Sequence, residues 1–491
     1  MTADELCGAP AVKLAALLRT RDISPVELTE AFLDRIERRN PALNAYVTLL
    51  ADEALARARE IERTAGQSTV GPLHGVPVAI KDLFDFKAGV RNTFGSRPLA
   101  GFVPNVTATY VERLEAAGAI VLGKTNTPEF GCKATTDNLL FGPTSTPFAV
   151  GRNAGGSSGG GAAAVADGLA ALAQGSDAGG SLRIPAAWCG IVGLKTTWGR
   201  VANVTRPDGF VAVSPFIHSG AMARTVADVA LMTSVMAGFH PRDPYATAHE
   251  LDWVPRAERG LRELRIAYSP DLGAFPVQAS VAAVVAAAVA DLAAHHARVS
   301  EITMRLGDQL ELCACWNRQH AVRNATTAAT FARRGIDLLA EHREELTSEF
   351  TSSVELGQHQ SAVDAQLDSV TRTQVLDALE DVLTDHDILI CPTVGIPPVP
   401  NAADGRTTGP SDVDGVPVDP AIGWALTYPV NFTGHPSASV PAGLDATGLP
   451  VGLQVIGRRF RDDDVLAVAA ALEQIRPWEH QLTAVQTGEH L

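Results

Sequence analysis

The sequence predicts an α/β protein, and three observations carry that prediction. Between residues 72 and 235, short apolar runs such as VPVAI and AIVLG alternate with Gly-rich turns and Ala-rich helical stretches, the pattern of strands buried on both faces. Helical periodicity dominates on either side of this region, in residues 24–38 and 277–386. Near the C-terminus, PSASVPAGL and VGLQVIG read as a returning pair of core strands.

Taken in order, SPVELTEAFLDRIER opens with Ser24 as N-cap, Pro25 at the first helical position and Glu27 closing a capping box. Apolar residues at 28, 32, 33 and 36 then give one buried helical face. NPALNA turns this helix into a second one ending near residue 63. After the α/β region, residues 277–386 form a peripheral helical layer that includes the weakly patterned ELTSEFTSSVELGQHQSAVDAQ. HDILICPTVGIPPVP is then a strand running into a Pro-rich loop, and GRTTGPSDVDGVPVDP is a long loop.

Composition excludes several function classes. Asp and Glu total 55 against 40 Lys and Arg, a net charge of −15, with no basic block that could neutralise a phosphate backbone. Nucleic acid is therefore not an expected partner. MTADELCGAP lacks the features of a secretory signal, and the longest apolar run, Val281 to Ala290, falls far short of the ~20 residues a spanning helix needs. No membrane association and a cytoplasmic location are expected. Six cysteines in 491 residues do not make a disulfide framework. Cys313 and Cys315 have no partner motif for zinc, so no metal site is expected.

The stretch GRNAGGSSGGGAAAVADG, residues 151–168, admits four readings. A flexible linker accounts for its Gly and Ser, but the Ala-rich helix former that follows places the glycines at a helix N-terminus, where they expose backbone N–H groups. A phosphate loop has a formal match elsewhere, in GAIVLGKT from Gly118 to Thr125. There, however, the buried strand lies between the two glycines, where an exposed turn is required, so Lys124 reads as a structural or solvated residue. A nucleophile elbow is formally matched by Gly155 to Gly159, with His435 as a late base, but STPFAVGRNA makes a poor preceding strand. The fourth reading joins GVPVAIKD, GGSSGG and GSDAGGSLRIPA.

Those three pieces together resemble the amidase signature family. The resemblance extends through VLGKTNTPEFG, WCGIVGLKTTWGRV, SGAMARTVADVALM, PVNFTGHPSASVPAG and GLPVGLQVIGRRFRDDDVLAVAAALE. It implies one amidase domain with a large mixed sheet covered by helices on both faces. Its parts would be a helical arm (1–65), a signature core (66–240), a variable, mainly helical region (241–385) and a C-terminal return to the core sheet (386–491). It also implies a Ser-cisSer-Lys triad on Ser181, Ser157 and Lys81, with the peptide bond before Ser157 cis and no cofactor. Such a lysine must be neutral to act as base, which burial favours. Neighbouring Asp82 should point away by strand alternation.

For the oxyanion, the turn Ala178, Gly179, Gly180 and Ser181 can aim consecutive N–H groups into one concavity. By the same analogy, Asp177 and Arg183 pair to hold the turn and Ser158 hydrogen-bonds within the site, whereas Ser176 is structural. The expected substrate is a small-molecule amide, and the resemblance leaves room for a homodimer. Aligning WALTYPVN puts Trp424 where tRNA-dependent glutaminase subunits hold the glutamine amino group with a carboxylate. That favours a free-standing amidase for an apolar, aryl or alkyl amide. The alternatives are such a glutaminase subunit, or an esterase or carbamate hydrolase using the same triad. Thr196 in LKTTWGRV and the ending of FGPTSTPFA depart from the family pattern and bear on substrate shape. Phe130, Gly131, Cys132, Trp316 and Trp424 are the candidate pocket residues. A binding-only homologue would have lost Lys81 or a serine, and all three are present.

Overall fold

The computed structural model describes residues 1–64 and 71–487. The boundary expected between residues 65 and 66 lies outside them. Eleven strands form one mixed sheet: β1 (Tyr46–Leu49), β2 (Pro77–Lys81), β3 (Ile120–Thr125), β4 (Leu172–Asp177), β5 (Val192–Lys195), β6 (His218–Ala223), β7 (Arg265–Tyr268), β8 (Arg298–Glu301), β9 (Ile388–Pro392), β12 (Ser437–Leu444) and β13 (Pro450–Gly457). A separate two-stranded ribbon, β10 (Asp412–Val413) and β11 (Val416–Pro417), sits in the long loop before β12. In space the large sheet runs β1-β3-β2-β4-β6-β5-β12-β13-β9-β7-β8.

Every residue of β2, β3, β5, β6, β9 and β13 is buried. Helices therefore cover the sheet on both faces, which is why these strands read as continuous apolar runs instead of alternating ones. The helix Gly159–Ala166 is wholly buried along its length. Its glycines serve close packing: a Cβ on Gly160 would stand 2.3 Å from the backbone nitrogen of Asn126 and 2.5 Å from the carbonyl oxygen of Ala45. The N–H groups expected to be exposed at its start are spent internally. Those of Ser158, Gly159 and Gly160 are donated to Ser181 O, Thr136 Oγ1 and Asn126 O.

The N-terminal arm forms the capping box at Ser24 and Glu27 and the helix Pro25–Leu43. NPALNA does not lead straight into a second helix. Asn40 Oδ1 accepts the N–H groups of Ala45 and Tyr46, Asn44 takes a left-handed turn, and the chain first lays down β1 against β3. Only then does the helix Ala51–Thr64 begin. β7 and β8 likewise extend the sheet from within the region expected to be mainly helical. Strands of only four residues are too short for a period-two signal. No helix among the described residues is long and apolar enough to cross a membrane. All six cysteines are buried and unpaired.

β2 and β4 are parallel neighbours, so their C-terminal ends emerge on the same edge of the sheet. This brings Lys81, the last residue of β2, beside Ser176 and Asp177, the last residues of β4. Crevices beyond the carboxyl ends of parallel strands are the usual ligand sites of open α/β sheets.

Candidate active site

Lys81 is fully buried, and its Nζ lies 2.8 Å from Ser157 Oγ and 3.1 Å from Ser176 Oγ. Burial lowers its pKa from 10.5 to about 7, against the opposing pull of the Asp85 and Asp177 charges. Asp82 does not compete for the amine. Its carboxylate turns to the backbone N–H and hydroxyl of Thr93, and burial raises it to about 6. The Gly156–Ser157 peptide bond is cis.

Ser157, Ser176, Ala178 and Ser181 share the wall of one cavity, together with Leu83, Gly131, Ile217, Trp316 and Ile422. The turn from Ala178 to Ser181 is held from behind. Arg183 Nε and Nη2 donate to the two carboxylate oxygens of Asp177 at 3.0 and 2.9 Å. Burial acts to raise the Asp177 carboxyl, but the Arg183 charge and hydrogen bonds, with Lys195 adding to them, hold it well below the carboxylate range. Arg183 also donates to Thr427 O, Gln454 Oε1 and Asn431 Oδ1, tying the turn to the C-terminal strands and loop.

One expected oxyanion donor is engaged elsewhere. The Gly180 N–H is donated to Asp177 Oδ1 at 2.8 Å, which leaves those of Ala178, Gly179 and Ser181 without an internal acceptor among the described residues. Gly180 serves the turn differently: it has φ +129°, and a Cβ there would stand 2.1 Å from Thr427 Oγ1. Ser158 donates its hydroxyl to Ser176 O at 3.3 Å and its N–H to Ser181 O at 3.2 Å, which joins the Gly-rich segment to the turn after β4.

The pocket candidates divide. Trp316 reaches the cavity wall, and its indole N–H donates to Ala178 O at 2.9 Å. Gly131 also lies on the wall, where a Cβ would stand 3.3 Å from Ser157 Oγ and 3.1 Å from Leu83. The other three are placed off the wall. Phe130 stacks between Phe94 and Phe350 in a separate aromatic cluster that includes Cys132. Trp424 is fully buried, stacked on Trp188 at 4.9 Å between ring centroids, with its N–H on Pro420 O. Large apolar rings find more contact area inside a core than on a cavity wall, and each of these ring residues has an aromatic partner there. Gly131→Ala is expected to keep the fold and lower kcat at least tenfold, because at φ +70° both strain and the Ser157 contact oppose a side chain. A urea midpoint measured beside steady-state rates checks it.

Ser176, read as structural from sequence, instead stands against the Lys81 amine. His320 and Arg323 were not singled out at all, although both line the cavity. The spacing 316, 320, 323 on the helix Gln309–Ala332 places all three on one face, a signal that the sequence did contain. His435, the alternative base, is not on this wall. Its Nδ1 lies 2.8 Å from Thr433 Oγ1 and its Nε2 3.2 Å from the Glu380 carboxylate. Lys124 is fully buried on β3 and donates to the backbone carbonyl of Asp85, so it is structural and not solvated.

Comparison with known proteins places this geometry. Residues 27–466 match the family model described as Amidase. The chain belongs to the amidase family. This amidase is 37% identical to an acylamidase of Rhodococcus erythropolis, over 97% of its own length and 98% of the relative's. It is 35% identical to a subunit of the glutamyl-tRNA(Gln) amidotransferase of Thermosynechococcus vestitus, over 94% and 96% of the two chains. Among solved structures it resembles a bacterial aryl acylamidase of the amidase signature family. That likeness has a TM-score of 0.94 and 39% identity, and covers 98% of this amidase and 99% of that chain. The protein is thus an amidase-class hydrolase with the eleven-stranded α/β fold described above.

Proposed function

We propose that the protein is a free-standing amidohydrolase that cleaves carboxylic amides through an acyl-enzyme on Ser181, with Ser157 as proton relay and Lys81 as base. The observation that carries this reading is the Lys81–Ser157 contact of 2.8 Å made by a fully buried amine. A lysine with a pKa near 7 is largely neutral just above that pH and can take a proton without help from histidine.

Lys81 draws the Ser157 proton as Ser157 takes that of Ser181, and the Ser181 oxygen attacks the amide carbonyl. The oxyanion is received by the free N–H groups of Ala178, Gly179 and Ser181. Ser157 then protonates the departing amine and recovers a proton from Lys81, which leaves the amine of Lys81 neutral again. Water adds to the acyl-enzyme by the same relay, yielding the acid and restoring Ser181. The side chains at the reacting end, Leu83, Ile184, Ile217, Trp316 and Ile422, favour an apolar or aromatic group beside the scissile amide. No Asp or Glu lines the cavity among the described residues to hold the ammonium of glutamine, and this supports an amidase over a glutaminase subunit. Trp424 no longer bears on that choice, because its side chain lies in the core.

Ser181→Ala is expected to leave no measurable turnover of aryl amides such as 4-nitroacetanilide. Mass spectrometry of the quenched wild-type enzyme should show an acyl adduct on the peptide holding Ser181. An adduct on Ser157, or an active Ser181→Ala protein with a dead Ser157→Ala, would reverse the two serine roles.

A further inference from the structure

The cavity wall carries two cations, and their surroundings differ. Lys133 is neutralised by Asp137 at 2.6 Å and Glu349 at 3.1 Å. Arg323 has no carboxylate within ion-pair distance among the described residues. Its Nη2 lies 2.6 Å from His320 Nε2, while its buried Nε has no hydrogen-bond partner. Burial pulls its pKa down to about 10, so the guanidinium is still charged at neutral pH.

A charged guanidinium held in a largely apolar cavity with donors to spare is costly unless a ligand supplies the acceptor. Arg323 is also held in place. His320 stacks on Trp316 at 4.6 Å, and Asn324 Nδ2 stands 3.2 Å from His320 Nδ1. Trp316 in turn is fixed to Ala178 O, beside the nucleophile. A continuous ladder therefore runs from the reacting turn outward through Trp316 and His320 to Arg323. The two ends of this ladder, residues 316 and 323, are separated by seven residues of helix, a rise of about 10 Å.

From this arrangement we infer that Arg323 is a specificity-determining residue that receives a carboxylate on the substrate, borne at the end remote from the scissile amide. The inference rests on the proposed amidase site and adds the charge of the substrate's far end. An Arg presents parallel N–H donors that match a carboxylate, and no acid on the cavity wall repels such a ligand. The reacting end of the substrate is still apolar, so the substrate class is an amphiphilic amide: aryl or alkyl at the reaction centre, anionic at its tip.

The test compares two anilides of equal acyl length, the mono-4-nitroanilide of suberic acid and the 4-nitroanilide of octanoic acid. The wild-type enzyme is expected to favour the carboxylate-bearing one at least tenfold in kcat/KM, mainly through KM. Arg323→Gln is expected to collapse that ratio to near one, and Arg323→Lys to retain part of it. A matched second pair, octanoyl anilide with and without a 4-carboxylate on the ring, asks whether the charge is borne on the amine side. Preference in either pair that depends on Arg323 supports the inference. Equal wild-type rates within both pairs would overturn it with no variant needed, as would a preference that survives Arg323→Gln. If neither neutral anilide nor its charged partner is cleaved while small aryl amides are, the inference fails and the amidase site stands. If none of these amides is cleaved, it is the hydrolase reading that fails.

Discussion

Lys81→Ala is expected to lower kcat/KM for an aryl amide at pH 8 by roughly 10³-fold or more, because it removes the amine positioned to accept the Ser157 proton. Lys81→Arg should be equally inactive. It keeps the charge and the donors but cannot deprotonate near neutrality, so its failure separates base chemistry from mere positioning. The wild-type pH profile supplies an independent check. With the amine lowered to about 7, the ammonium predominates below that pH and the free base above it. The expected kcat/KM profile thus rises tenfold per unit up to a bend near pH 7 and then levels off. A bend near 10, the ordinary lysine range, would mean that the buried amine is not the titrating base.

Arg183→Ala is expected to destabilise the fold by about 3–5 kcal/mol, the usual cost of leaving one member of a buried ion pair alone. Both side chains are fully buried, and Arg183 further satisfies acceptors on Thr427, Asn431 and Gln454. The sign of the pH dependence follows from Asp177. In the wild type its carboxyl is held below the unfolded value, so its contribution persists at neutral pH and is lost only in strong acid. In the variant the burial that acts to raise that carboxyl is no longer offset by Arg183, so the carboxyl is expected to lie above its unfolded value. Protonation then relieves the fold as pH drops, and the deficit shrinks between pH 8 and pH 5. Urea midpoints of both proteins across that range would show it. Because the same pair anchors the Ala178–Ser181 turn, activity should fall even under conditions where the variant is folded.

How much was legible varies with the physics of each feature. The capping box at Ser24 was readable because caps are local, and the buried strands were readable because continuous apolar runs are long enough to register. β1, β7 and β8 were missed because strands of four residues carry no usable period. The Gly-rich stretch was correctly separated from a linker, since its helix is fully buried, but its N–H groups proved to be spent within the fold. Trp316 and Trp424 looked equivalent as candidates. One has a backbone acceptor at the cavity and the other a stacking partner in the core.

Sequence alone determined the α/β class and the family, because ordered motifs and buried-strand runs are properties of the chain itself. The family resemblance singles out Lys81, but no local property of the chain separates it from the other buried lysines. Lys81, Lys124 and Lys195 each close or nearly close a strand, each is fully buried, and burial lowers the pKa of each. Lys124 and Lys195 end against the backbone carbonyls of Asp85 and His435, whereas Lys81 ends between two serine hydroxyls. That difference comes from residues 76 and 95 positions away, brought to one sheet edge by the parallel pairing of β2 and β4. Whether a buried amine is structural or reactive depends on what lies at its tip, and only the tertiary fold puts a hydroxyl there.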